Sequence, residues 1–415
     1  MTTLDISWLS SEQGQTIIKR ASEFTDALQS NTALRKQFPE ISTDLISQAI
    51  TQANLRRNLS RRWQIETNKF LLTDDGINQA TRPRVARYRA EWIKKQFGKS
   101  VRVLDMTCGL GFDSLAMAHA GLQVHAIERE EVTAECARHN LRATDVEVAI
   151  GDATQSDVAG FDVIFVDPAR RNPNAPRRID GTSSRIFNPQ DWSPSWDFIN
   201  SVAQQVPVVA KVAPGIEDTA LIHWDAQWIS DGGDVVEAML TRFKSSSQGS
   251  RCAVLLNHDV EKSLTFTGNT DAPIDNSGKF LICPDGAITR AGALDVVAHL
   301  VDGGLVNEHI GWLTSSNEQA VVQLLAIDPQ PADCFEIIGR NKCDAKEIAK
   351  AIKDVPASAI TIMTRGVSVD VDVFRRRIAH SLDRHAPELV VALYREDCGN
   401  QAIIARRLTK AQLAH

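Results

Sequence analysis

The stretch VLDMTCGLGFDSLAMAHAG, Val103 to Gly121, constrains this chain more than any other. It starts as an apolar strand, breaks at two glycines two residues apart, and resumes as a helix of small residues. A turn of that kind bares its backbone to a ligand at a helix start. Asp105, the acid at the strand end, bears on which ligand. A dinucleotide site needs a third glycine where helix packs on strand, and its pyrophosphate would be repelled by a carboxylate. The third position here is Ser114. The ammonium and sulfonium of S-adenosylmethionine are instead attracted, so the sign of the charge favours the methyl donor.

Beyond the turn, short apolar runs alternate with helical patterns: VRVLDM, QVHAIE, VEVAIG, FDVIFVD, PVVAKVA and DVVEAML read as strands. Strands spaced by helices predict an α/β fold with a largely parallel, Rossmann-like sheet whose ligands bind beyond the carboxyl ends. Acids recur at those ends. Glu128 closes the second strand, where a carboxylate accepts both ribose hydroxyls. Asp152 follows the third, placed to accept the adenine amino group while the amide of Ala153 meets a ring nitrogen. Asp167 and Pro168 end the fourth, at the mouth where the methyl group is presented.

Helices precede this sheet. Between Ile17 and Phe97 apolar residues recur at three- and four-residue spacing, and Thr81 stands as N-cap before a helix with Pro83 in its first turn and Gly98 at its end. The polar stretch TGNTDAPIDNSGK marks a boundary, after which AKEIAKAIKDV, SAITIMTRGVSVD, VDVFRRRIAHSL, ELVVALYRE and QAIIARRL read as a small α/β module. Three sections follow: an N-terminal helical segment (1–97), a Rossmann-like domain (98–260) and a C-terminal α/β domain (261–415).

A chain of 415 residues has room for this plan. It shows no apolar run of about 20 residues and no charged start followed by an apolar segment, so a soluble, cytoplasmic protein is expected. The seven cysteines are scattered, without a CxxC pair or histidines at zinc spacing. No metal is expected, and Cys108 in the glycine turn is read as packing. The net charge is −6, yet residues 51–100 hold twelve basic residues against four acidic ones. That local excess is either a set of solvated helix faces or a patch that attracts phosphate.

The motifs DMTCGLGFDS, AIERE, GDAT and DPARR resemble those of class I S-adenosylmethionine-dependent methyltransferases, specifically bacterial proteins with a THUMP-like C-terminal domain. More distantly they are similar to RNA cap guanine-N2 methyltransferases of the trimethylguanosine synthase type. LLTDDGINQATRPRVA is similar to the segment that closes over the cofactor in those enzymes, and KVAPG, AQWISDGGDVVEAML and TRGVSVD match the bacterial group. The resemblance implies that Asp105, Thr107, Gly109 and Gly111 line the methionine moiety, Glu128 the ribose and Asp152 the adenine, with Gln79 and Thr81 closing the pocket. The fourth strand departs from the pattern of amino-directed enzymes. After Asp167 and Pro168 come Ala169 and Arg170 in place of a second proline and a stacking aromatic.

Methyl transfer is an in-line displacement that needs alignment and exclusion of water more than a nucleophile. Asp167 is the candidate catalytic residue, hydrogen-bonding an acceptor amine and draining its charge. The polar, basic segment from Ala169 to Pro189 has the character of a substrate clamp, with Arg170, Arg171 and Arg185 suited to phosphate and Phe187 to stacking on a base. Lys211, ending a strand at the same edge, is a further phosphate candidate. Methylation of RNA, at a base nitrogen and possibly an exocyclic amine, is the expected activity. The alternatives are a protein or metabolite acceptor, or a non-catalytic RNA-binding protein that retains the cofactor pocket.

Overall fold

A computed structural model describes residues 4–169, 188–243, 249–268, 271–378 and 382–409. The chain forms two compact units, Met1–Asp225 with Ala238–Gly249 and Ala226–Glu237 with Ser250–His415.

The first unit opens with six helices: α1 (Ile6–Ser10), α2 (Glu12–Ser22), α3 (Ala27–Gln37), α4 (Thr43–Trp63), α5 (Asp74–Gln79) and α6 (Pro83–Phe97). Asp5, Ser11, Asp26, Ser42 and Thr73 each accept a first-turn amide and set where the first five begin. Their inward faces meet in one core, which also takes Leu110 from the glycine turn and Cys136 from the sheet's helical cover. The helix start at Pro83 differs from the reading of Thr81 as its cap. Arg82 is the cap residue and its side chain does not cap the helix, because proline at the first position has the required φ and no N–H to satisfy. The Thr81 hydroxyl is thereby free to donate to Asp113 Oδ2 at 2.5 Å.

The sheet follows as β1 (Arg102–Asp105), α7 (Phe112–His119), β2 (Gln123–Glu128), α8 (Glu131–Leu141), β3 (Glu147–Ile150), β4 (Val163–Val166), α9 (Trp196–Val202) and β5 (Val208–Val212), with β6 (Asp225–Asp231) and β7 (Asp234–Arg242) beyond. In this unit the order is β3-β2-β1-β4-β5-β7. The first five are parallel, and β7 runs antiparallel to β5, with Val208 opposite Arg242. Val103, Val163, Ile164, Val208 and Val209 are fully buried, as strands covered on both faces require. Strand order reverses between β1 and β4, which opens a crevice at their carboxyl ends.

What fixes the helical segment against that crevice is a set of side-chain bonds to backbone. The Asn140 amide, on α8, accepts from the Leu71 N–H at 2.8 Å and donates to the carbonyls of Leu71 and Leu110, both at 3.0 Å. Gln52, on α4, does the same to the next residue, accepting from Leu72 N–H at 3.0 Å and donating to its carbonyl at 2.7 Å. Arg56 Nε donates to the Phe70 carbonyl at 2.7 Å. Residues 70–72 thus pair with side chains much as a strand pairs with a neighbour.

The second unit contains β6, parallel to β8 (Arg251–Leu256), which pairs with β9 (Leu264–Phe266). A seven-stranded sheet follows, built from β10 (Phe280–Pro284), β11 (Gly303–Asn307), β12 (Ile310–Ser315), β13 (Ala332–Lys342), β14 (Ile360–Arg365), β15 (Leu389–Glu396) and β16 (Gly399–Arg407) in the order β11-β12-β10-β13-β16-β15-β14. It is antiparallel apart from the β14–β15 pair. The sheet curls until its two ends meet: Asn307 Nδ2 donates to the Arg395 carbonyl at 3.0 Å, and Trp312 lies 6.4 Å from Tyr394, centroid to centroid. The apolar face outside the curl packs under α13 (Ala345–Ile352) and α14 (Val371–Ile378), where Phe374 and Ile378 point inward as their spacing predicts. The helices α10 (Gly286–Ala291), α11 (Leu294–Val301) and α12 (Glu318–Ala326) complete the unit.

Replacing Asn140 by Leu keeps the volume but strips Leu71 and Leu110 of buried partners. The expected cost is about 3 kcal/mol, read as a lowered urea midpoint, while Asn140→Gln recovers part of it. An unchanged midpoint would show that the clamp is dispensable.

Candidate active site

A cleft of about 920 Å³ lies over the carboxyl ends of β1, β2 and β4. Its walls carry Gln79, Thr81, Thr107, Gly109, Glu128, Asp152, Ala153, Asp167 and Lys211, so nine residues singled out in the sequence meet there from α5, the glycine turn and four strands. Asp105, Gly111 and Pro168 do not line it. Asp105 lies beneath the turn, fully buried, accepting from Ser114 Oγ at 2.6 Å and from the Thr107 amide at 3.2 Å. Burial pushes its carboxyl up to about 7, against the pull of the Ser114 hydroxyl. The acid at the strand end thus braces the turn from below.

The two glycines do different work. Both have positive φ, 54° at Gly109 and 83° at Gly111. A Cβ on Gly109 would meet nothing within 4 Å, whereas one on Gly111 would come within 2.9 Å of Leu141 Cδ1. Gly111 lets α7 pack on α8, and Gly109 keeps the cleft floor bare. The Gly109 amide donates to Glu128 Oε2 at 3.0 Å, and the Glu130 amide to Oε1 at 2.9 Å. Glu128 is therefore fixed at the end of β2 with a lone pair left on each oxygen. Asp152 is exposed, and bonds from the Thr154 amide and hydroxyl to Oδ1 hold its carboxyl below the ordinary range. Its Oδ2 is left for a ligand donor.

At the mouth, the Asp167 amide donates to Thr107 Oγ1 at 2.7 Å, and Lys211 Nζ lies 2.5 Å from Asp167 Oδ2 and 3.3 Å from the Gln79 carbonyl. Lys211 is thus engaged with Asp167, not held out toward a phosphate. Ala169 and Ser193 exchange backbone bonds of 2.8 and 3.1 Å at the cleft rim. Arg170, Arg171, Arg185 and Phe187 lie outside the described residues. Trp192 and Trp196 are buried against each other and offer no stacking face. Cys108 is buried, and burial together with Asp105 pushes its thiol well above the ordinary range, which fits packing.

The basic segment is partly scaffold. Arg56 and Arg89 are buried, Arg57 donates to the carbonyls of Ser22 and Phe24, and Arg62 donates to that of Ile77. Arg61, Lys69, Arg87, Lys95 and Lys99 are exposed. Two features escaped the sequence reading. Arg89 pairs with Asp113 and stands over the Phe165 ring at 4.9 Å, joining α6, α7 and β4 behind the cleft. Its signal is positional, since Val85, Ala86, Arg89, Ala90 and Ile93 share the buried face of α6 and an arginine there requires a buried partner. Arg129 lines the cleft and bonds to Ser193 Oγ at 3.2 Å. Among the described residues, no cluster of three or more His, Cys, Asp or Glu is placed to hold a metal, and no helix is long and apolar enough to cross a membrane.

The residues present fit S-adenosylmethionine. The cleft is lined by seven carboxylates, from Asp74, Asp75, Asp113, Glu128, Glu130, Asp152 and Asp167, against Arg129 and Lys211; with Asp113 paired to Arg89 from behind, the remaining balance still suits a cation. The sheet order and the crevice define the Rossmann-like fold of class I methyltransferases, and a solved structure agrees: a candidate methyltransferase from Porphyromonas gingivalis superposes with a TM-score of 0.70 over 96% of this chain and 99% of its own, at 19% identity. No family model matches the chain. An uncharacterized S-adenosylmethionine-dependent methyltransferase of Mycobacterium tuberculosis is 26% identical over 321 residues, 76% of this chain and 82% of that protein. A tRNA (uracil(54)-C(5))-methyltransferase of Pyrococcus horikoshii is 37% identical over 88 residues, 20% of this chain and 22% of that protein.

Two predictions rest on this geometry. Because the folded state holds a proton on Asp105 that the unfolded chain has released, stability declines as pH rises from about 4 to about 7. Asp105→Asn lacks that dependence, so its stability relative to the parent improves across the same interval and levels off above it, as urea titrations at stepped pH would read. Gly109→Ala costs about 1 kcal/mol of stability but weakens adenosylhomocysteine binding roughly tenfold by intruding on the cleft floor. Calorimetry showing undiminished affinity would remove Gly109 from the site.

Proposed function

We propose that this S-adenosylmethionine-dependent methyltransferase acts on RNA, at a base nitrogen. The carrying observation is Asp167 at the mouth of an acid-lined cleft, in a unit whose N-terminal part exposes Arg61, Lys69, Arg87, Lys95 and Lys99. Those cations suit phosphates and fix register, while the cleft takes a single flipped base. The short stretch in common with a tRNA methyltransferase supports the same substrate class. The C-terminal unit, THUMP-like by resemblance, supplies a second contact to the RNA, and Arg375, Arg376 and Arg377 on α14 are its candidates.

The donor supplies a methyl group on a sulfonium sulfur. The protein's own residues do the rest. Glu128 and Asp152 hold ribose and adenine, Gly109 allows close approach, and Gln79 at the end of α5 closes the cleft with Thr81 just beyond it. Asp105 keeps the turn in shape, and Pro168 stiffens the chain at the mouth. Asp167 accepts a hydrogen bond from the acceptor nitrogen and takes its proton after transfer. The surplus of carboxylates also suits a cationic acceptor, which favours a protein or metabolite amine as the second reading.

Nucleoside mass spectrometry of RNA from cells with and without the gene tests the choice. One methylated nucleoside is expected to disappear and to return when purified protein and labelled S-adenosylmethionine are added. Unaltered nucleosides, with labelled protein or metabolite instead, would transfer the activity to the second reading.

A further inference from the structure

Lys211 is the cation that bridges the cleft mouth. Its ammonium lies 2.5 Å from Asp167 Oδ2 and 3.3 Å from the carbonyl of Gln79, and its side chain is only 12% exposed. Asp167 is held a second time, through its amide, by the Thr107 hydroxyl. Three segments far apart in sequence, the end of α5, the end of β4 and the interior of β5, therefore converge on one Nζ. An ammonium so enclosed is already satisfied by a carboxylate and a carbonyl, and it has little left for a substrate phosphate.

We propose that Lys211 is a positioning residue of the methyl transfer. It engages Oδ2 of Asp167, leaves Oδ1 to accept the N–H of the nitrogen to be methylated, and ties that carboxylate to the Gln79 end of the segment closing the cleft. This rests on the reading of the chain as an RNA base-nitrogen methyltransferase, and it narrows the acceptor to a nitrogen that bears a hydrogen. The nitrogen lone pair forms the new N–C bond as the sulfonium C–S bond breaks, its electron pair staying on sulfur. The positive charge then rests on nitrogen, which passes its proton to Oδ1 and on to water. The aromatic that amino-directed enzymes carry after their two prolines is replaced here by Arg170. A lysine-anchored carboxylate supplies orientation that stacking would otherwise give.

The test uses the full chain and four variants: Lys211→Met, Lys211→Arg, Asp167→Asn and the double variant Lys211→Met with Asp167→Asn. Hydrogen exchange is the first readout. In Lys211→Met the amides of residues 77–81 and 165–169 exchange at least about fivefold faster, Lys211→Arg stays near the parent, and adenosylhomocysteine affinity stays within about fivefold. The second readout is methyl transfer from tritiated S-adenosylmethionine to total RNA of cells lacking the gene. Lys211→Met lowers kcat about 100-fold with little change in KM for RNA, Asp167→Asn does the same, and the double variant is no worse than either. Parent-like exchange in both segments, or undiminished turnover in Lys211→Met, overturns the proposal. A parent protein that labels no RNA, while exchange responds as expected, overturns the RNA reading and leaves the positioning role standing.

Discussion

A strand that runs into a left-handed glycine turn leaves its amides and carbonyls facing a ligand, so the turn has to be held from behind by groups that are not part of it. That constraint organises the first unit. Asn140 takes the Leu110 carbonyl, Glu128 takes the Gly109 amide, and Asp105 is braced by Ser114 below. Each bond also ties the turn to a different neighbour: α8, β2 and the first turn of α7. Because Asn140 simultaneously pairs with Leu71, the same amide fixes the N-terminal helices to the crevice. Leu110 completes the link by packing into the helical core.

Electrostatics works on two levels around this frame. Behind the cleft, charge is consumed in construction: Arg89 with Asp113, Arg56 with backbone carbonyls, and Asp105 carried up to about 7 by burial. Such groups stay buried only because each is bonded, since an unpaired charge there would cost more than the fold can spare. Inside the cleft Asp152 is anchored through one oxygen and open at the other, and Glu128 accepts one bond on each oxygen with a lone pair left on both. At the mouth, the pairing of Lys211 with Asp167 orients the carboxylate without screening the whole cleft.

Much of this was legible in the residue pattern. The strand, turn and helix order, the acids at strand ends and the parallel core followed from apolar runs and local turn chemistry, which depend on neighbours within a few positions. Residues 280–342, which form β10 to β13, carry no comparable local signal. Their strands are short and paired at long range: β10 lies between β12 and β13, and β13 pairs with β16. Period-two alternation is weak where a curled sheet buries residues on both faces. The pattern around Lys211 suggests a phosphate partner, because a lysine near a strand end has no local signal for its pairing with Asp167.

The sequence by itself determined that a bare glycine turn follows a buried strand and that carboxylates punctuate the strand ends, since backbone freedom and charge are properties of single residues. Only the tertiary structure decided which of those carboxylates face the cleft. Asp105 sinks beneath the turn and Asp167 meets a lysine forty-four positions away. It also decided that four arginines of the basic segment hold the protein together. A side chain's partner is set by packing in three dimensions, and the sequence carries that information only once the elements have been assembled.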